Sequence, residues 1–197
     1  MKNAVCRKCR REGMKLFLKG EKCFSSKCPF TRRPYPPGAR GQVKSIKLSD
    51  YGKQLREKQK AKRIYGLNER QFRRYFLQSA KHKEATGEVL LQLLERRLDN
   101  LVYRLGFASS RRNARQMVSH GLFLVNNKKV DIPSYQVKVK DVIEPKKKEG
   151  IELHKREIPS WLKLDKKKLQ GEVIKIPEKE DLPQEIDQSL IVEFYSR

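Results

Sequence analysis

The stretch RLDNLVYRLGFASSRRNARQMVSHG, residues 97–121, decides the fold. Leu98, Leu101, Val102 and Leu105 share one helical face, and Gly106 is placed to end that helix. Ser109 or Ser110 can cap the next helix, in which Ala114, Met117 and Val118 face inward. Arg111, Arg112, Arg115 and Gln116 are then left outside, and Gly121 stops the helix. Leu122 to Val125 reads as a strand. Asn126-Asn127 can take the left-handed conformations of a tight turn, and Lys128 to Val130 returns. Val137 to Ile143 offers a further alternating strand. The spacing predicts a helix–turn–helix followed by a small sheet, with a basic helix beside a basic hairpin that carries Lys128 and Lys129.

Upstream, Thr86 opens a helical run made apolar by Leu90, Leu91, Leu93 and Leu94. Asn68 and Gln71 suit a capping box before it. Phe72, Tyr75 and Phe76 recur at i, i+3, i+4, so they read as core rather than as platforms for bases, and Arg70, Arg73 and Arg74 fall away from them. Ser49 can cap a helix to about Ile64. That helix is polar all round, with Lys53, Arg56, Lys58, Lys60, Lys62 and Arg63, so it is solvated, marginal or pressed between other surfaces. Residues 29–41, PFTRRPYPPGARG, hold four prolines and two glycines and are expected to be neither helix nor central strand. With Arg32, Arg33, Arg40 and, just beyond, Lys44, they read either as an arm along a phosphate backbone or as a linker. At the other end, Leu190 to Tyr195 is apolar and β-prone, as in a terminus tied into a fold.

All four cysteines lie between residues 6 and 28, as Cys6-x2-Cys9 and Cys23-x4-Cys28. Two short-spaced pairs around a loop fit a tetrahedral thiolate site. Zinc suits a closed four-thiolate set; an iron–sulfur cluster takes the same ligands, and a metal-free reduced knuckle remains a third reading. Clustered cysteines fit a reducing compartment. The same segment carries Arg7, Lys8, Arg10 and Arg11, cations that favour thiolates and point to nucleic acid.

The chain of 197 residues has a formal net charge of +24. Net charge is +11 over residues 1–50, +7 over 51–100, +7 over 101–150 and −1 over 151–197. Such an excess resists compaction unless a polyanion neutralises it, with nucleic acid the first candidate and an acidic membrane surface the second. No apolar run is long enough to span a bilayer, which argues for no membrane role. No phosphate-binding glycine loop, nucleophile elbow or paired carboxylate signature occurs, so neither enzyme activity nor a small-molecule substrate is expected. His120 has no acidic or cysteine partner in a recognisable motif, and it reads as structural or RNA-contacting together with Gln116. Arg111, Arg112 and Arg115 could grip phosphates or stack on unpaired bases, where the planar guanidinium suits better than an ammonium.

Together with LVNNKKVDIPSY, the stretch at 97–121 resembles the RNA-binding module named after bacterial small-subunit ribosomal protein four. CRKCRREG, RRPYPPGARG, KLSDYGKQLREKQKAKRIYG, ERQFRRYF and the terminal IVEFYSR extend the resemblance to that ribosomal protein family over nearly the whole chain. The resemblance implies an α+β protein. A mostly helical N-terminal domain (1–94) with a four-cysteine zinc knuckle would be followed by the inserted module (95–160) and a C-terminal segment (161–197) that returns to the helical domain. It further implies a cytoplasmic constituent of the small ribosomal subunit with one structural zinc. As a primary binder of 16S rRNA in the 5′ domain, it would nucleate assembly of the subunit body. It would lie near the side where mRNA enters and contact ribosomal protein five, an interface that influences decoding accuracy. The sequence departs from the family at Asn127, where glycine is usual, at Leu122, where histidine is common, and at Lys140, where a glycine usually precedes the Asp.

Overall fold

Ser49 does cap a helix, its Oγ accepting from the Gly52 N–H at 3.2 Å, and such local signals set most element boundaries. The computed structural model describes residues 4–39, 41–42, 47–82 and 84–196. Its helices are α1 Ala4–Glu12, the single turn α2 Pro29–Arg32, α3 Asp50–Ile64, α4 Glu69–Ser79, α5 Thr86–Glu95, α6 Leu98–Arg104, α7 Arg111–Ser119 and, near the C-terminus, α8 Gln188–Tyr195. The strands are β1 Phe123–Val125, β2 Lys128–Lys129, β3 Val142–Pro145, β4 Leu162–Asp165 and β5 Gln170–Val173. The chain divides into two compact units, residues 1–72 with 185–197, and residues 73–184.

In the first unit the polar helix α3 is pressed between partners. Lys58 is buried; its Nζ lies 2.9 Å from Glu69 Oε1 and 4.2 Å from the ring centroid of Phe194. Gln54 donates to Glu193 Oε2 at 2.8 Å, so α8 lies along α3. Leu190 to Tyr195 is thus helix and not strand. Asp187 caps it, accepting from the Ser189 and Leu190 N–H groups, and packing against α3 overrides the β-prone composition. The expected exclusion of helix from residues 29–41 also fails at α2. Proline at the first helical position loses no intrahelical bond, so Pro29 starts that turn.

The second unit folds α6 and α7 over a five-stranded antiparallel sheet of order β2-β1-β3-β5-β4. Leu98, Leu101, Ala114, Val118, Phe123 and Trp161 are among the side chains that fill its core. Asn126 and Asn127 take φ +50° and +64°, the left-handed pair that a two-residue hairpin needs. The strand expected over Val137–Ile143 begins only at Val142, because Lys140 takes φ +70° and breaks the alternation. β4 and β5 come from the segment that the resemblance assigns to the returning tail. Only residues 185–197 join the first unit, so the units divide at 72/73 and 184/185.

Candidate nucleic-acid interface

Helix α7 starts at Ser110, whose Oγ accepts from the Asn113 N–H at 3.2 Å, and ends at Gly121, φ +68°. Burying Ala114 and Val118 leaves Arg112, Gln116 and His120, four residues apart, as one exposed row. Lys128 and Lys129 are exposed on the hairpin that follows. On α4, Arg70, Arg73 and Arg74 form an exposed stripe opposite the buried Phe72, Tyr75 and Phe76, as their spacing predicts.

Arg111 and Arg115 behave differently. Both are half-buried and turned into the fold. Arg115 Nε and Nη2 reach Asp99 Oδ2 at 2.8 and 2.6 Å. Arg111 Nε donates to Asn100 Oδ1 at 2.7 Å, and its guanidinium lies 4.5 Å from the Tyr103 ring centroid. Asp99 is 3% exposed and also accepts two bonds from Arg97, itself 1% exposed, whose Nη1 donates to Tyr75 Oη at 2.7 Å. Burial pushes the Arg97 guanidinium toward losing its proton, but Asp99 and Tyr75 hold its pKa above the usual value. Beside them, Glu95 accepts from Asn100 and twice from Arg104. The expectation that Arg111 and Arg115 point outside is corrected: they position α7, and Arg112, Gln116 and His120 form its free face.

The basic residues of the first unit divide in the same way. Arg56 and Arg63 converge on Glu12, whose side chain is 1% exposed, and Lys60 Nζ lies 2.7 Å from Glu57. Lys53 is exposed and pairs with Asp50 at 2.9 Å. Arg10 donates to the carbonyls of Tyr35 and Pro36 at 2.9 and 3.3 Å and lies over the Tyr35 ring, so it pins the proline-rich segment. Arg7, Lys8, Arg11, Arg32 and Arg33 are exposed. Arg40 and Lys44 lie outside the described residues.

Cys6 and Cys9 sit one turn apart on α1, and all four cysteines are buried around one cavity, with Val5, Leu18 and Phe30 among the other lining residues. No group of three or more His, Cys, Asp or Glu side chains among the described residues is arranged to hold a metal ion. Backbone donors nonetheless aim at the sulfurs. The Lys19 N–H lies 3.3 Å from Cys23 Sγ, Leu16 donates to Cys9, and Phe30 and Thr31 donate to Cys28. Burial pushes the Cys9 and Cys23 thiols up. At Cys28 burial acts the same way, but the Thr31 and Phe30 donors outweigh it and lower the pKa.

Two family profiles match residues 1–143 of this chain. One described as Ribosomal protein S4/S9 N-terminal domain matches residues 1–95, and one described as S4 domain matches residues 96–143. The chain belongs to the small ribosomal subunit protein uS4 family. It is 57% identical over 199 residues to the small ribosomal subunit protein uS4 of Dictyoglomus turgidum, covering 98% of this chain and 96% of that protein. Identity is 59% over 201 residues to the uS4 of Caldicellulosiruptor saccharolyticus, with the same coverage, and 52% over 202 residues to that of Thermus thermophilus, covering 98% and 97%. The relatives are named as proteins of the small ribosomal subunit, and the uS4 family is a structural, non-enzymatic component of the ribosome. No described helix is long and apolar enough to cross a membrane.

Asp99 and Glu95 are the residues that sequence reasoning missed. Their signal is present in ERRLDN: two carboxylates interleaved with arginines between apolar helical turns can be buried only as ion pairs.

Proposed function

We propose that this chain is a structural constituent of the small ribosomal subunit and a primary binder of 16S rRNA in the 5′ domain, where it nucleates assembly of the subunit body. The observation that carries the reading is the set of exposed cations on rigid mounts, Arg70, Arg73 and Arg74 on α4 and Arg112, Lys128 and Lys129 on the module. A-form RNA hides its base edges in a deep groove, so junctions are recognised through phosphates and shape by such cations. The family resemblance further supports contact with ribosomal protein five, a place near the side where mRNA enters, and a contribution to decoding accuracy.

The four buried thiols line one cavity and three of them are met by backbone N–H donors, which supports one zinc that would draw Cys6, Cys9, Cys23 and Cys28 together on binding. Zinc would act structurally there, supplying folding free energy to a segment with few apolar residues. Those residues hold α1, the cysteine loop and α2 together, which sets Arg7, Lys8 and Arg11 in place.

The test is sedimentation together with filter binding. One copy should remain on each small subunit after a high-salt wash. Affinity of the isolated chain for 5′-domain rRNA should fall steeply with salt as counterions are released. Substoichiometric occupancy, or a flat salt profile, overturns the reading.

A further inference from the structure

The cysteine loop carries one large aromatic side chain on its outside. Phe24 is 70% exposed, although Cys23 before it and Cys28 beyond it are buried. It is not a loose tip. The Phe24 N–H donates to Glu21 O at 3.0 Å, Ser25 Oγ to Lys22 O at 3.1 Å and the Cys28 N–H to Ser25 O at 3.1 Å, so successive turns hold the loop. Phe17 stacks on Phe24, with centroids 5.0 Å apart and planes at 27°. Phe17 does so at φ +49°, a conformation that bulky residues rarely adopt. Two phenyl rings are thus kept face to face with one of them open to solvent, beside the exposed Lys22 and Lys27.

We propose that Phe24, backed by Phe17, is a stacking platform for an unpaired RNA base, with Lys22 and Lys27 neutralising the adjoining phosphates. The ring chemistry favours this occupant over a protein surface. An exposed phenyl offers a π-face to any base, and the flanking ammonium groups match a phosphodiester chain, whereas an apolar protein partner would leave those cations uncompensated. Of the exposed large apolar side chains, Phe24 alone sits between two exposed lysines in a cysteine-bracketed loop. The proposal rests on the rRNA-binding reading and names one contact within it.

The test compares Phe24→Leu, Phe24→Tyr and Phe24→Trp in the full chain, by filter binding to 16S 5′-domain rRNA at several salt concentrations. Phe24→Leu keeps apolar bulk without a π-face and should weaken binding about tenfold with an unchanged salt slope. Phe24→Tyr should bind as the parent does. Phe24→Trp should retain affinity, and the fluorescence of the introduced indole should be quenched on binding. Full rRNA affinity of Phe24→Leu overturns the proposal even if the variant enters subunits poorly, since that pattern marks a protein contact. Unquenched indole emission from bound Phe24→Trp, measured against the parent chain, overturns it as well. Failure of the parent chain to bind the rRNA would instead remove the reading on which the proposal stands.

Discussion

Arg115 of α7 directs both Nε and Nη2 at a single oxygen, Oδ2 of Asp99, at 2.8 and 2.6 Å. Asp99 is buried and shared with Arg97, so the pair fixes where α7 lies on α6. An arginine that reads as an RNA contact is thereby a structural tie. Arg115→Ala should destabilise the module by about 1–2 kcal/mol, the scale of lost hydrogen bonds to a charged group. Asp99→Asn should cost about 3 kcal/mol or more, because it leaves Arg97 buried against a neutral partner. Arg112→Ala should leave urea midpoints unchanged and weaken rRNA binding. Equal midpoints for Arg115→Ala and Arg112→Ala would refute this division.

Glu69 accepts from Lys62 at 2.8 Å, Lys58 at 2.9 Å and Tyr195 at 2.7 Å. Burial works against its ionisation, but these three donors outweigh it and bring the pKa down to about 2. A lowered carboxylate pKa stabilises the fold above the unfolded value of about 4.3 and loses that contribution as pH falls toward 2. Glu12 acts in the opposite sense, since burial outweighs its arginines and raises its pKa. Unfolding midpoints between pH 6 and 2 should therefore fall less steeply in Glu69→Gln than in the parent. Parallel curves would show that Glu69 is not the titrating group.

Chelation, or Cys9→Ser, should disorder the chain up to about Pro29 and weaken rRNA binding by misplacing Arg7, Lys8 and Arg11. The Arg10 bonds to Tyr35 and Pro36 should be lost with them. The module at residues 96–145 should stay folded, together with the β4–β5 strands that complete its core. Metal analysis should return one zinc per chain and no iron; amide exchange that is unaffected by chelation, or an iron–sulfur absorption band, contradicts the assignment.

Two left-handed positions should respond with opposite signs. A Cβ at Gly106, φ +82°, would lie 2.7 Å from the His154 carbonyl oxygen, which is backbone and cannot move aside cheaply. Gly106→Ala should therefore destabilise by at least about 1–2 kcal/mol, the strain of that conformation alone. At Lys140, φ +70°, a glycine removes strain, so Lys140→Gly should stabilise by about 0.5–1 kcal/mol after the added freedom of the unfolded chain is counted. Urea denaturation decides both.

Features set by adjacent residues were legible in the sequence. The Ser110 cap, the stop at Gly121, the inward Ala114 and Val118 and the left-handed Asn126-Asn127 all follow from local chemistry, and all are present. What escaped depends on distant partners. Leu190–Tyr195 is helical because α3 receives it. The cations of α3 look like an open basic face until Glu12 and Glu69 are brought to them. Lys140 breaks a strand that alternation extends, because Asp141 turns back, its side chain bonding the Lys138 N–H at 2.7 Å and Asn126 at 2.8 Å. Charge counting found the sign of the partner, but it could not separate cations that meet RNA from cations that hold the protein together.

The pairing of α3 with α8 also sets a schedule. Residues 73–184 are contiguous and can close on their own during synthesis, whereas the first unit must wait for residues 185–197, which follow them in the chain. A copy ended early by a premature stop codon would lack Phe194 and Tyr195 and leave Lys58 and Glu69 without their aromatic cover. Limited proteolysis of such a chain should therefore cut the first unit well before residues 73–184.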